Sequence, residues 1–180
     1  MELTSSEKQT LLEIARCAIQ FAVRGELLPP LSATTKNLEK PSGVFVTLLK
    51  EDILRGCIGY IEPAFPLALA TQEVAAKAAM EDPRFMPVTE DELDQIRIEI
   101  SVLSELQPCT DIGTIEIGKH GLVMDDGFRR GLLLPQVAIE YGWTREQFLE
   151  HTAIKAGIEP NAWKSGGVKI YTFTVDLFSE

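Results

Sequence analysis

The feature that most constrains the fold is a pair of strand-like segments separated by a short charged turn. Residues 44–49 (VFVTLL) and 54–61 (LRGCIGYI) flank Lys50-Glu51-Asp52, and this arrangement is typical of a β-hairpin. A third segment, residues 96–103 (IRIEISVL), alternates apolar and polar side chains, as a strand with one buried face does. The three segments favour antiparallel pairing.

Helices are predicted before and between these strands. The capping box TSSE at residues 4–7 opens a helix that Gly25 ends. Pro66 is placed at the first position of an alanine-rich helix that stops before residue 82. A further capping box, TEDE at residues 89–92, opens a short helix that leads into the third strand.

The second half of the chain combines hairpin and helix signals. Asp126-Gly127 is a strong two-residue hairpin signal, and it predicts strands over residues 115–124 and 128–134. A helix capped by TREQ at residues 144–147 follows, and residues 168–178 predict one long final strand. The sequence therefore predicts an α+β fold with mainly antiparallel sheets and flanking helices.

Composition limits the functions that this chain can have. Its 180 residues carry a formal net charge of −10, and an acidic surface disfavours binding of nucleic acid. Three cysteines without CxxC spacing predict neither a disulfide framework nor a zinc site, and no cofactor fingerprint is present, so the cofactor is unknown. We expect a cytoplasmic protein without a membrane partner, because signal-peptide and membrane-span patterns are absent.

The pleat of residues 54–60 predicts two different faces. Cys57 shares one face with Arg55 and Gly59, because side chains alternate along a strand. An arginine two positions from a thiol favours the thiolate, and Gly59 is expected to leave open space beside it. The opposite set is expected to face the core and comprises Leu54, Gly56, Ile58 and Tyr60.

Further polar side chains reach the thiol if the three strands are neighbours in one sheet. Thr47, Glu99 and Ser101 then converge with Arg55 and Cys57, with Thr47 and Ser101 as binding candidates. In the functional interpretation Cys57 is the nucleophile, and Glu99 is a base or orients Arg55. In the alternative, Cys57 packs as a small hydrophobic residue, and Arg55 and Glu99 form a structural ion pair.

Four more candidates have a functional and a structural interpretation. Gly56 and Gly59 permit close approach of a ligand or, equally, a bulge or close packing. Arg84, in the segment EDPRF, is a candidate for binding an anionic group, or else it stabilises a turn. His120 lies between glycines and is a candidate catalytic residue, although the same glycines are typical of a bulge in a twisted hairpin.

Several short motifs follow one another along the chain: GVFVTL (43–48), LRGCIGY (54–60), DPRF.PV (82–88), IEISVL (98–103), IGKHGL (117–122), GLLLPQVA.E.GW (131–143), FL with KAG (148–157) and Trp163. In this order they resemble the AMMECR family, which is named for the chromosomal region of Alport syndrome, midface hypoplasia, intellectual disability and elliptocytosis. The resemblance covers about residues 8–180, and its form is similar to the prokaryotic branch, the AmmeMemoRadiSam system.

The resemblance implies a single domain over residues 1–180 made of two tightly packed subdomains. The larger is assembled from the N- and C-terminal segments, and the smaller from an internal segment. It also implies two partners, a Memo-type protein related to extradiol dioxygenases and a radical-SAM protein. No established activity comes with the resemblance, and the RGCIG motif carries over to Arg55, Gly56, Cys57, Ile58 and Gly59.

Three interpretations of function follow. In the first, the chain acts with these partners in a modification pathway through a pocket around Arg55 and Cys57. In the second, it is a non-enzymatic interaction module in which the RGCIG motif is structural. The third, which the net charge opposes, is nucleotide or RNA binding through Arg55, Arg84 and Lys119.

Overall fold

A computed structural model describes residues 3–31 and 34–180, and these residues form two compact units. The first unit comprises the described residues up to Leu103 together with Asp176–Glu180, and the second is Ser104–Val175. The tight packing of two subdomains that the resemblance implies stays a prediction. No helix in the described part of the chain is long and apolar enough to cross a membrane.

The first unit combines a four-stranded sheet with two helices. The strand order is β2-β1-β3-β8, and β1 pairs antiparallel with both β2 and β3. One sheet face packs against the helices in a hydrophobic core. The elements are α1 (Ser5–Val23), β1 (Val44–Lys50), β2 (Ile53–Tyr60), α2 (Leu67–Met80), β3 (Ile96–Leu103) and β8 (Val175–Ser179).

The helix ends follow the sequence signals with one correction. Both hydrogen bonds of the predicted Thr4–Glu7 capping box are present, and Gly25 takes the left-handed conformation just after α1. Pro66 is the N-cap of α2 and not its first helical residue, so that prediction was wrong by one position. The first amides of α2, those of Leu67 and Ala68, donate to carbonyls of the preceding connector, so no side-chain cap is needed.

The β1–β2 hairpin contains a bulge that the sequence did not predict. Leu48 pairs with Gly56 and Leu49 pairs with Leu54, so Arg55 is the additional residue on β2. Leu54 consequently shares a face with Leu49, away from the core, and its side chain is exposed. The expectation that Leu54 faces the core was therefore wrong, because the bulge shifts the alternation by one residue.

The second unit contains the other four-stranded sheet and two helices. The strand order is β4-β7-β5-β6, and the pairings of β7 with β4 and β5, and of β5 with β6, are antiparallel. Its core packs around Phe148, Leu122 and Met124. The elements are β4 (Gln107–Pro108), β5 (Gly121–Asp125), β6 (Arg130–Leu133), α3 (Pro135–Glu140), α4 (Arg145–Lys155) and β7 (Lys169–Phe173).

Three predicted strands are shorter in the structure. The strand predicted from residue 115 begins only at Gly121, because a 3₁₀ turn and a tight turn precede it. The strand predicted over 128–134 is β6, which is four residues long. The single strand predicted over 168–178 is divided at Thr174, whose N–H bonds the Ser104 hydroxyl, so β7 and β8 belong to different sheets.

The predicted α+β class with mainly antiparallel sheets is confirmed. Both sheets are assembled from antiparallel pairs, and helices accompany each of them. The first unit carries most of the candidate residues, because all of those that the sequence singled out except Arg84, Lys119 and His120 lie on β1, β2 and β3.

Candidate functional site

A row of three polar side chains crosses the first sheet on the face opposite its buried core. Thr47 of the central strand β1 pairs with Cys57 of β2 on one side and with Glu99 of β3 on the other. The Thr47 hydroxyl donates to Cys57 Sγ at 3.2 Å. The structure thus brings together Thr47, Cys57 and Glu99, and the cysteine is partly buried.

The neighbouring row does not provide the open space expected at Gly59. Phe45 lies between Gly59 and Ser101 in the register. A Cβ atom at Gly59 would lie 2.3 Å from the Phe45 ring, so the ring already occupies that space. Ser101 is buried. The expectation of open space was wrong, and Gly59 is required by packing.

Gly56 faces the opposite way and is also explained by packing. A Cβ atom there would lie 2.3 Å from the carbonyl oxygen of Ala78 in α2. Gly56 is buried, and its lack of a side chain allows the helix backbone to approach β2 closely. Neither glycine of the motif is therefore open to a ligand in this structure.

The segment after α2 binds the outer edge of β2 at Cys57. The Cys57 N–H donates to Asp82 Oδ2 at 2.8 Å, and Arg84 Nη2 donates to the Cys57 carbonyl at 3.3 Å. Asp82 also accepts from Arg84 Nε at 3.0 Å and from Nη2 at 2.7 Å. This Asp82–Arg84 fork satisfies both backbone groups that an edge strand would otherwise leave unpaired.

The fork is a tight ion pair with one buried and one accessible partner. The Asp82 side chain is 3% exposed and that of Arg84 is 52% exposed. The Arg84 guanidinium, together with N–H donors from Cys57 and Arg84, lowers the pKa of Asp82 to about 2. Asp82 in turn raises the pKa of Arg84, and the negative charge that Cys57 carries as a thiolate adds to that effect.

Arg55, the cation expected beside the thiol, points elsewhere. Its Nε and Nη2 atoms donate to the Glu92 carboxylate at 3.0 and 2.8 Å, and Nη1 donates to the Met86 carbonyl at 2.9 Å. Glu92 also binds Lys50, and Arg55 is the largest cause of a Glu92 pKa well below its usual range. The expected Arg55–Glu99 pairing was therefore wrong, because the bulge directs Arg55 to Glu92.

Glu99 has its own partner on the same strand. Its carboxylate accepts from Arg97 Nη1 at 2.7 Å, and Arg97 also binds Asp52 at 2.8 Å. Glu99 is therefore beside Thr47 in register but is engaged in an ion pair with Arg97.

His120 belongs to the second unit. Its Nδ1 atom accepts from the Glu116 N–H at 3.1 Å, next to the Lys119–Glu116 ion pair. The first unit contains no histidine, so a cysteine–histidine pair is not available within it. Among the described residues, no group of three or more His, Cys, Asp and Glu side chains is placed to hold a metal ion.

Comparison with known proteins decides the family. The AMMECR1 family model matches residues 12–178. The chain belongs to the AMMECR1 family. Proteins similar to it include one from Thermococcus onnurineus (44% identity over 94% of this chain and 88% of that one) and one from Methanothermobacter thermautotrophicus (43% identity over 99% and 96%). These relatives are archaeal, in agreement with the resemblance to the prokaryotic branch.

A solved structure supports the fold. The crystal structure of an uncharacterised protein from Pyrococcus horikoshii superposes on this AMMECR1-family chain with a TM-score of 0.93. The two sequences are 37% identical, and the match covers 100% of this chain and 94% of the other.

Two residues of this AMMECR1-family site were missed by sequence reasoning. Asp82 was treated only as a helix boundary, although an acid two residues before an arginine can bind it through a turn. Glu92 was treated only as the N3 residue of the capping box that begins at Thr89. It fills that role and also binds Arg55. For Asp82 the available signal was an unassigned carboxylate two residues from a candidate arginine, whereas Glu92 lies 37 residues from Arg55 and gave no such local signal.

Proposed function

We propose that this AMMECR1-family protein uses Cys57 as a nucleophilic thiol in a cytoplasmic modification pathway shared with Memo-type and radical-SAM proteins. The observation that carries the proposal is the environment of Cys57. Its backbone is held by the Asp82–Arg84 fork and its sulfur accepts from the Thr47 hydroxyl. In this proposal Cys57 carries the chemistry expected of the Arg55/Cys57 pocket, and Arg84, which binds the Cys57 carbonyl, is the nearby cation in place of Arg55.

Electrostatics, and not a histidine base, accounts for activation in this proposal. A neighbouring arginine and a hydroxyl donor both favour the thiolate, which is the reactive form of cysteine. The proton released on ionisation passes to solvent. The thiolate sulfur then forms a bond to an electrophilic carbon of the substrate, while the bond from that carbon to its leaving group breaks and the leaving group departs with the electron pair. Glu99 is kept from the sulfur by Thr47 and by its own pairing with Arg97, so we assign it no proton-transfer role.

Thiol alkylation tests this function directly. Cys17, Cys57 and Cys109 are all thiols and all partly buried, so the chain contains two matched internal controls. We expect iodoacetamide to label Cys57 about tenfold faster than either control near pH 7, as residue-resolved mass spectrometry would measure. A Cys57 rate no greater than that of Cys17 or Cys109, with the partner proteins absent and present, would rule out the activated thiol.

The partnership rests on family membership and needs its own test. The full-length chain carrying an affinity tag would be co-expressed with a Memo-type and a radical-SAM protein from one organism. We expect both to co-purify with the chain, and their absence from the purified material, with both expressed in soluble form, would contradict the partnership. The Cys57→Ser variant should retain them, because it changes the thiol and leaves the surface in place.

A non-enzymatic interaction module is the second candidate. Packing alone explains Gly56 and Gly59, and two apolar side chains of the same unit are exposed, Ile53 at 70% and Met86 at 81%. This candidate expects Cys57→Ser to leave pathway function intact and charge reversals on the surface to disrupt complexes. Loss of function in Cys57→Ser, with stability and partner binding unchanged, would exclude it.

Nucleic-acid binding receives no support from the proposed basic residues. Arg55, Arg84 and Lys119 each bind a carboxylate, and those carboxylates belong to Glu92, Asp82 and Glu116 respectively. The formal net charge of −10 further opposes the attraction of an extended phosphate backbone. A filter assay that detects no salt-sensitive RNA binding would remove this candidate.

A further inference from the structure

Arg84 is held in one orientation although half of its side chain is exposed. Nε and Nη2 bind the two oxygens of Asp82, and Nη2 also binds the Cys57 carbonyl. The guanidinium additionally lies 5.4 Å from the centre of the Phe85 ring. A cation fixed in this way loses little conformational entropy when it binds a ligand, so it is pre-organised for recognition.

The same hydrogen bonds leave part of the guanidinium available. Arginine has five N–H donors, and the fork uses those on Nε and Nη2. Nη1 donates to no protein atom within residues 3–31 and 34–180. Two N–H groups of an accessible cation thus remain beside the backbone of Cys57.

The other candidate arginine provides an internal comparison. Arg55 is 16% exposed, and Nε, Nη1 and Nη2 all donate to Glu92 or to the carbonyls of Met86 and Pro87. Arg55 therefore stabilises the fold, and each of its guanidinium nitrogens already donates a hydrogen bond within the protein. Of these two arginines, Arg84 is the one whose Nη1 atom can donate hydrogen bonds to a ligand.

We propose that Arg84 binds an anionic group next to Cys57, and that the substrate of the thiol carries a carboxylate or a phosphate. This inference rests on the proposed role of Cys57 and adds the chemical class of the substrate. Asp82 is a positioning residue, because it orients the guanidinium without contacting the substrate. A planar guanidinium suits the oxygens of both anions.

Two alkylating reagents of different charge separate anion binding from thiol reactivity. In both reactions the thiolate sulfur forms a bond to carbon, the carbon–iodine bond breaks and iodide leaves, while the thiol proton has passed to solvent. Iodoacetate carries a carboxylate and iodoacetamide does not. The ratio of their rates at one cysteine therefore cancels the fraction of thiolate and reports attraction of the anion.

We expect the iodoacetate-to-iodoacetamide ratio at Cys57 to exceed the ratios at Cys17 and Cys109. In Arg84→Gln the ratio at Cys57 should fall about threefold or more, which is the size of a contact between charges near the surface. Arg24→Gln is the matched control, because it removes one exposed arginine of the same unit that pairs with Glu90. An unchanged ratio in Arg84→Gln would overturn the proposal.

A second measurement uses the unmodified chain, because Arg84→Gln leaves Asp82 buried without its partner and can impair folding. Inorganic phosphate or acetate is added during iodoacetamide labelling, at constant ionic strength set with sodium chloride. Slower labelling of Cys57, with no change at Cys17 and Cys109, supports the proposal. The anion that slows labelling more indicates whether a phosphate or a carboxylate is preferred. Protection by neither anion overturns it.

The two failures are distinguishable. If iodoacetamide labels Cys57 no faster than the controls, the proposed function fails. If Cys57 reacts fast while neither the rate ratio nor anion protection shows an effect, the thiol is active and only the anionic substrate is wrong.

Discussion

The position of Cys57 depends on its backbone as much as on its side chain. At the sheet edge, the Cys57 N–H donates to Asp82 and the Cys57 carbonyl accepts from Arg84. On the neighbouring strand, the Thr47 hydroxyl donates to the Cys57 sulfur. The fork binds the Cys57 backbone through hydrogen bonds, and the sulfur is only two covalent bonds from the Cα atom. The fork therefore fixes the position of the thiol relative to the Arg84 cation. A change in Asp82 should affect both stability and reactivity, whereas a change in an exposed carboxylate should affect neither.

Asp82→Asn tests the fork at the scale of one residue. We expect a loss of about 2 kcal/mol in unfolding free energy at pH 7, because an amide accepts more weakly and its NH₂ group opposes Arg84. Since the folded pKa of Asp82 is about 2, below its ordinary value of 3.8, this stabilisation is present above about pH 3.8 and is lost as pH falls through 2. Urea unfolding of both proteins measures it.

The control for this prediction is Asp52→Asn. Asp52 also pairs with an arginine, Arg97, but it is almost fully exposed. Its replacement should change stability by less than about 0.5 kcal/mol. A loss in Asp82→Asn no larger than in Asp52→Asn would contradict a stabilising fork.

At the scale of elements, the β1–β2 hairpin has one feature that could be predicted from the sequence and one that could not. The period of two in β1, β2 and β3 was sufficient to predict the row that joins Thr47, Cys57 and Glu99. The bulge was not predictable from that period, because the partner that Arg55 binds at the bulge is distant in sequence. That partner, Glu92, lies 37 residues further along the chain.

The final strand shows the same limit in the second unit. Its alternation continues through Thr174 without interruption, so the sequence predicted one strand. The hydrogen bonds between Ser104 and Thr174 end one ladder and separate β7 from β8. Contacts between residues distant in sequence accompany both differences, and the hydrogen bond from the Cys57 N–H to Asp82, 25 residues apart, is a contact of the same kind.

The Arg55–Glu92 pair ties the bulge to the 3₁₀ turn Glu90–Gln95, and Glu92→Gln isolates its contribution. Glutamine still fills the capping-box role of Glu92 beside Thr89, so the variant removes the ion pair and retains the cap. We expect a loss of about 1 kcal/mol in unfolding free energy at pH 7, measured by urea unfolding.

Glu90→Gln is the control for this element, because Glu90 lies in the same turn and forms an exposed pair with Arg24. It should have no measurable effect. Equal losses in the two variants would mean that the buried pair at the bulge contributes no more than a surface one.

At the scale of the whole molecule, carboxylates with lowered pKa values hold distant parts of the first unit together. Glu7 near the start of α1 accepts from Thr35 and Asn37 of the connector, and Thr35 is the largest cause of its pKa of about 2. Asp82 and Glu92 bind β2 and its bulge, and their pKa values are also lowered. The folded chain therefore binds fewer protons than the unfolded chain in acid.

These three carboxylates contribute to the acid sensitivity of the first unit. Each contributes stability above its unfolded pKa, near 4, and loses that contribution as pH falls through its lower folded value. We expect the urea midpoint to change little between pH 7 and 5 and to fall steeply below about pH 4.5. Far-UV circular dichroism follows both units, whereas fluorescence reports the second alone, because Trp143 and Trp163 both lie there.

A triple variant, Glu7→Gln with Asp82→Asn and Glu92→Gln, makes the acid prediction specific. It should be less stable than the parent at pH 7 and should show a flatter decline below pH 4.5, because three of the groups that bind protons on unfolding are gone. The control replaces Glu13, Asp52 and Glu90, which are exposed in the same unit, and should keep the parent slope. If the triple variant kept the parent slope as well, acid unfolding would arise from other carboxylates, and the three contacts would not determine how the first unit responds to pH.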